Sequence, residues 1–311
     1  MSSHQIGFRW DPRWDPIDLP QIARSVEQLG YDELWMVEDC FSSGGLTSTA
    51  LALTATEQIE IGLGLLPAIV RNPAIAAMEL AVLARAYPGR FVPAFGQGVE
   101  EWMLQIGARP ANRLTVLSET VIAVRALLAG ETLGTSGKHV HLDNVALEHP
   151  PSEPPPILIG TTGPKGLALA GKVADGIIVV ELACPDAVGW AREQAGDPGR
   201  VVVYAFLSID DDDAHAVARI RPQIDAWMKS GAFPDMAEQA GIGRDGTGPL
   251  GDEMIQSMAA AGTPESCQQT VERLWKAVAD SVVLLPRAGD GLEQMRRFGE
   301  QVVPRLRAPS A

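Results

Sequence analysis

The stretch IEIGLGLLPAIVRNPAIAAMELAVLARAYPGRFVPAFGQG, residues 59–98, decides the fold. Its first nine residues form a short apolar run rich in Ile and Leu, which reads as a buried strand. Asn72 and Pro73 then supply an N-cap and a first helical position, and the following apolar residues recur at helical spacing as far as Gly89. RFVPAFGQG at 90–98 returns to an apolar strand and stops in a Gly-rich turn. Strand, helix and strand in about forty residues make a βαβ unit, whose two strands must lie parallel.

The same rhythm runs outward in both directions. Toward the amino terminus, IGFRW (6–10) and ELWMVE (33–38) read as strands. DLPQIARSVEQLG (18–30) forms the helix between them and ends at Gly30, while GLTSTALALTATEQ (45–58) begins the next helix with Thr and Ser in capping positions. Toward the carboxyl terminus, strands are expected in ILIG (157–160), GIIVV (176–180), VVVYAFLSI (201–209) and SVVLLP (281–286), each followed by a helical segment. Two regions break the pattern, an insertion at about 131–156 and a loop-rich, largely helical excursion at about 230–262. Eight strands with their helices predict one domain over 1–311 built as a (β/α)₈ or TIM barrel. An open doubly wound sheet fits less well, because no domain break interrupts the alternation.

Composition narrows the function. The 311 residues are 46% hydrophobic and 21% charged, ordinary for a globular chain that can fold without staples. A net charge of −14 disfavours nucleic acid and anionic membranes as partners and leaves a small molecule. The three cysteines are far apart and the amino terminus lacks a signal sequence, so a reduced, cytoplasmic setting is expected. His139 and His141 share a face if their segment is a strand, but no third ligand accompanies them and no metal is assigned. No hydrolase constellation can be assembled.

Active sites of such barrels lie at the carboxyl ends of the strands. Those ends carry Arg9 and Trp10, Glu38 with Asp39 and Cys40, Gly64 and Leu65, Gln97 and Gly98, the GTTGPKG turn at 160–166, Glu181, and Arg287. The set is rich in glycine, which lets backbone approach a flat ring or a phosphate. In the GTTGPKG turn, Gly160, Thr161, Thr162, Gly163, Pro164 and Lys165 pass from strand to helix, where the helix dipole favours an anion; an ordinary αL turn is the alternative. Gly96-Gln97-Gly98 is either a coenzyme contact or a tight turn made for packing. Of Glu38 and Asp39, strand alternation lets one enter the barrel mouth, as a catalytic or coenzyme-contacting group or as a solvated acid.

Five segments, LGYDELWMVED, IEIGLGLLPAIVRNPAIAAMELAVLA, GRFVPAFGQG, ILIGTTGPKGLALAGKVADGIIVV and AGTPESCQQTVERL, stand in order and spacing similar to the luciferase-like superfamily. Within it the chain most resembles the deazaflavin-dependent branch of methylenetetrahydromethanopterin reductase. That resemblance implies an oxidoreductase exchanging hydride between coenzyme F420 and a small organic substrate. FMN-dependent monooxygenase chemistry and a non-catalytic flavin-binding role are the competing readings. It implies a non-prolyl cis peptide in a bulge after the third strand, at Gly64-Leu65 or the next bond. The coenzyme phosphate would meet Thr162, Gly163 and Pro164 with Lys165 nearby, and Asp39, Gln97 and Gly98 would contact the ring or its side chain. Asp39, Cys40 and Glu100 become the candidate catalytic residues, and Arg9, Trp10 and Arg287 candidate substrate contacts. Family habit suggests a homodimer. Sugar-phosphate relatives place His at Cys40 and an acid at Val99, and methanopterin reductases place Glu at Arg9, so neither substrate is expected here.

Overall fold

A computed structural model of the chain describes residues 4–181, 183–229, 233–245, 248, 250–287 and 289–308. Its strands are β1 (Gln5–Arg9), β2 (Glu33–Met36), β3 (Glu60–Pro67), β4 (Phe91–Gly96), β5 (Leu133–Ser136), β6 (His141–Val145), β7 (Leu158–Gly160), β8 (Gly176–Val179), β9 (Arg200–Ile209), β10 (Ala259–Gly262) and β11 (Ser281–Leu285). Eight of them, β1–β4, β7–β9 and β11, pair in parallel around a ring, which β8 closes by pairing with β9 from Gly176↔Arg200 to Val179↔Val203. Closure removes the sheet edges and fixes one end of the ring as the site of all carboxyl termini.

The expected strands end within two residues of the observed ones, but two features were not foreseen. Residues 131–156 contain an antiparallel hairpin, β5 with β6, whose turn is held by the Glu119 carboxylate accepting the backbone N–H groups of Lys138, His139 and Val140 at 2.8, 2.8 and 2.9 Å. The excursion expected at 230–262 ends in strand β10, which pairs with residues 206–209 of the long β9; positions 230–232, 246, 247 and 249 lie outside the described residues. The helix start at Thr47 and Ser48 is also corrected. That helix is Gly45–Ala55, capped without a side chain at Gly44, while Gly45 N–H donates to Glu38 Oε2 at 3.0 Å. Asn72 does cap the next helix, accepting from Ala74 N at 2.9 Å with Pro73 behind it.

The amino-terminal end of the barrel is sealed by the first residues of its strands. Arg200 donates to Gln5, Glu33 and Glu60 at 2.8, 2.6 and 2.7 Å. The fully buried Glu33 also accepts from Ser281 Oγ at 2.7 Å and Trp35 Nε1 at 2.5 Å. A buried carboxylate with this many donors is a structural plug. Above it, Trp35 fills the interior because Gly62, its register partner across β2 and β3, has no side chain: a Cβ there would lie 2.3 Å from the indole. The carboxyl-terminal end is left open.

Candidate active site

A cavity of about 650 Å³ occupies the open end, within the range of small-molecule and cofactor sites. Its floor is the irregular part of β3, where the register against β4 shifts between Leu63 and Leu66 and the Gly64–Leu65 peptide is cis. A second cis bond joins Cys40 and Phe41. Leu65 rises between two glycines: a Cβ would lie 2.7 Å from Leu65 Cδ1 at Gly96 and 2.4 Å from it at Gly160. These two glycines at strand ends therefore make room for a side chain, and that side chain with Gly64 shapes the floor. Gly98, at φ +73°, provides the left-handed turn after β4.

Charged groups gather on one side of the cavity. Arg9, at the end of β1, extends Nη1 to within 3.6 Å of Glu181 Oε1, just past β8. Glu181 adopts φ +45°, an uncommon conformation for a residue with a side chain, and this turns the chain at the cavity wall. Burial pushes the Glu181 carboxyl up, opposed by Arg9 and reinforced by Asp39. Asp39 is pushed up as well, again by burial first, opposed by Arg9 and reinforced by Asp11. Two carboxyl groups thus share one guanidinium in a low-dielectric site, an arrangement that favours retention of a proton. Tyr204 reaches the same cavity from the middle of β9; it is 2% exposed, its phenol is pushed well up by burial, and its Oη has no protein partner.

Both adjacent acids after β2 line the cavity, contrary to the expectation that alternation would admit only one, because the strand ends at Met36 and the two lie in the turn beyond it. Glu38 is taken by Arg71 in a two-pronged pair at 2.5 and 2.8 Å and by the Gly45 amide, which anchors the loop. Asp39 stays beside Arg9.

Of the residues singled out from the sequence, Arg9, Asp39, Gly64, Leu65, Gln97, Gly98, Glu100, Gly160, Thr161 and Thr162 line the cavity. Gly163, Pro164 and Lys165 do not; they start the helix Pro164–Val173 next to its rim, with Gly163 as N-cap. Glu100 lines the cavity but is 50% exposed and already paired with Arg109 at 2.5 Å and Arg113 at 3.5 Å, which makes it a solvated, neutralised acid. Three further candidates also fall outside the lining. Trp10 is 0% exposed and packs edge-on against Trp14 at 5.3 Å in the core. Arg287 is committed to Asp290, a carboxylate that Arg219 also holds. Cys40 is not among the lining residues, and burial followed by the nearby Glu38 and Asp39 charges pushes its thiol up, so it is no ready thiolate.

Tyr204, Arg113, Trp102 and Phe233 line the cavity and were not foreseen, and Glu181 was noted only as a strand end. The one available signal was Tyr204 itself, the sole hydroxyl within the apolar run VVVYAFL. Among the described residues no group of three His, Cys, Asp or Glu side chains is arranged to hold a metal ion, and no helix is long and apolar enough to cross a membrane.

Comparison with known proteins gives the site a context. A family model described as luciferase-like monooxygenase matches residues 11–281. The 5,10-methylenetetrahydromethanopterin reductase of Methanolobus tindarius is 27% identical over 96% of this chain and 99% of its own length. The F420-dependent glucose-6-phosphate dehydrogenase of Nakamurella multipartita is 26% identical, covering 95% of this chain and 94% of its own. In the solved coenzyme F420 dependent tetrahydromethanopterin reductase from Methanopyrus kandleri the same fold recurs, with a TM-score of 0.82 at 21% identity over 98% of this chain and 100% of that one.

Proposed function

Since the chain belongs to the luciferase-like monooxygenase family, we propose that it is an oxidoreductase that exchanges hydride between coenzyme F420 and a small organic substrate. The relatives named for F420 dependence align with nearly the whole chain. The observation that carries the reading is the cavity: a floor made by Gly64 and Leu65, an apolar wall, and buried polar atoms with no protein partner at Tyr204 Oη, Arg9 Nε and Arg113 Nε. Unpartnered buried donors are costly unless a ligand engages them, so these residues fit a flat ring with polar edges.

Bound F420 supplies reversible two-electron hydride exchange. The protein's own part is to hold, orient and dry the site. Val37, Leu65, Pro67 and Val180 exclude water from the depth of the cavity. Thr161 and Thr162, with the amino end of helix Pro164–Val173 beyond them, would receive a phosphate-bearing tail. Arg9 pairs with the half-buried Glu181 and supplies a positive charge near Asp39. Orientation of this kind is worth up to roughly 7–11 kcal/mol in ideal cases.

The test is titration of the purified protein with F420, read by quenching of coenzyme fluorescence. Tight saturable quenching is expected. Absence of quenching, or binding of FMN in its place with oxygen uptake on reduction, overturns the reading.

The chain is also proposed to act as a homodimer in the cytoplasm. Ile75, Met78 and Val82 form an exposed apolar stripe along helix Pro73–Ala86, the kind of face a second subunit covers. All three cysteines are free, as a reducing compartment requires.

A further inference from the structure

The excursion after β9 reaches the cavity mouth, and one of its acids stands over the end that would take the coenzyme phosphate. Phe233 lines the cavity and stacks on Trp227 at 4.7 Å, and Trp227 meets Phe206 of β9 edge-on at 6.3 Å. This aromatic ladder, with Met236 and Ala237 buried behind it, seats the short helix Pro234–Gln239 beside the rim. Asp235, in the first turn of that helix, thereby reaches Gly163, the N-cap of helix Pro164–Val173: a Cβ on this glycine would lie 3.7 Å from Asp235 Oδ2. Arg244 pairs with Asp235 and with Glu238, both at 2.7 Å. One cation is thus shared by two acids, and the three together keep a negative charge. Lys165, on the facing helix, is exposed, so its attraction for any phosphate is screened.

A phosphate received at the Thr162–Gly163 turn has first-turn N–H groups on one side and the Asp235 carboxylate on the other. That arrangement sorts phosphates by the number of esters they carry. A phosphodiester has a single negative charge and a second ester oxygen, which can be the atom turned toward Asp235. A phosphate monoester carries close to two charges at neutral pH, and every oxygen it can turn that way is charged. The Asp235 side chain is only 28% exposed, so water screens the repulsion in part.

We propose that Asp235 makes this site select a redox ring carried on a phosphodiester tail, such as F420, over one that ends in a phosphate monoester, such as FMN. The inference rests on the coenzyme reading above and adds to it the residue that discriminates. No bond forms or breaks at the phosphate, and the selection is one of binding.

The experiment titrates wild type, Asp235→Asn and Glu238→Gln with F420, FMN and riboflavin, each read by quenching of its own fluorescence. Quenching of F420 by all three proteins shows that they fold, and it separates this proposal from the coenzyme reading, which fails if wild type does not quench F420. At about pH 8, Asp235→Asn is expected to bind FMN about tenfold or more tightly than wild type. Riboflavin, which has the ring and no phosphate, should bind the two within about twofold of each other. Glu238→Gln removes an acid from the same Arg244, but Glu238 has no atom within 4 Å of the Cβ position at Gly163. Its FMN affinity should stay within about threefold of wild type. Lowering the pH to about 5, below the second ionisation of a phosphate monoester at about 6, should tighten FMN binding to wild type by about tenfold and to Asp235→Asn by less than about threefold. With F420 quenching intact, an unchanged FMN affinity in Asp235→Asn, FMN binding undetectable in both proteins, an equal gain for riboflavin, or an equal gain in Glu238→Gln overturns the proposal.

Discussion

The guanidinium of Arg9 lies 3.6 Å from the carboxylate of Glu181, and the same guanidinium favours ionisation of Asp39 against the effect of burial. Strands β1 and β8, with the turn after β2, thus meet at a single cation. One positive charge stands between two half-buried acids, and burial pushes the pKa of each up against it.

Arg9→Met should push both carboxyl groups further up, because burial then acts on each without the opposing charge. A carboxyl group whose folded pKa is raised contributes stability below its unfolded value and loses it as pH rises through the folded one. The variant should therefore match wild type in acid and fall behind as pH rises. Denaturant unfolding across the pH range measures this, and a constant difference at all pH values would argue against the shared-cation arrangement.

At the other end of the barrel, Arg200→Met leaves Glu33 fully buried without its cation. Burial pushes Glu33 up, while Arg200 opposes the rise and Glu60 adds to it. Removing one partner of such a pair costs about 3–5 kcal/mol. Stability should partly recover as pH falls below the raised Glu33 pKa, where the acid is neutral. Unfolding curves in acid and alkali would expose the opposite trend if Glu33 were solvated.

Gly160→Ala places a methyl group 2.4 Å from Leu65 Cδ1. Leu65 must then move, and the cavity it lines is the space available. A clash of this kind costs about 1–3 kcal/mol, so F420 affinity should weaken by about tenfold. Combining it with Leu65→Ala removes the clash, and the double variant should bind more tightly than Gly160→Ala alone. Fluorescence titration of the three proteins decides; unchanged affinity in Gly160→Ala would show that Leu65 does not shape the coenzyme floor.

Met78→Asp puts a charge into the exposed stripe formed with Ile75 and Val82. Burying an unpaired carboxylate between subunits is costly, so light scattering after gel filtration should report dimer for wild type and monomer for the variant. Identical masses would place the subunit contact elsewhere or remove it.

What the sequence determined by itself was everything that local pattern controls. Apolar runs and capped helical repeats prescribed the eight barrel strands, and Asn72 with Pro73 marked a helix start that the structure keeps. The order of strand ends named most of the cavity, because alternating βα units place those ends together. Local pattern could not show that Trp10 turns into the core while Arg9 turns into the cavity, that Arg287 is taken by Asp290, or that Gly96 and Gly160 are small for the sake of Leu65. Nor could it bring Glu181 and Tyr204 to Arg9. Those relationships join residues far apart in the chain, and they exist only once barrel closure fixes which side chains share one buried space.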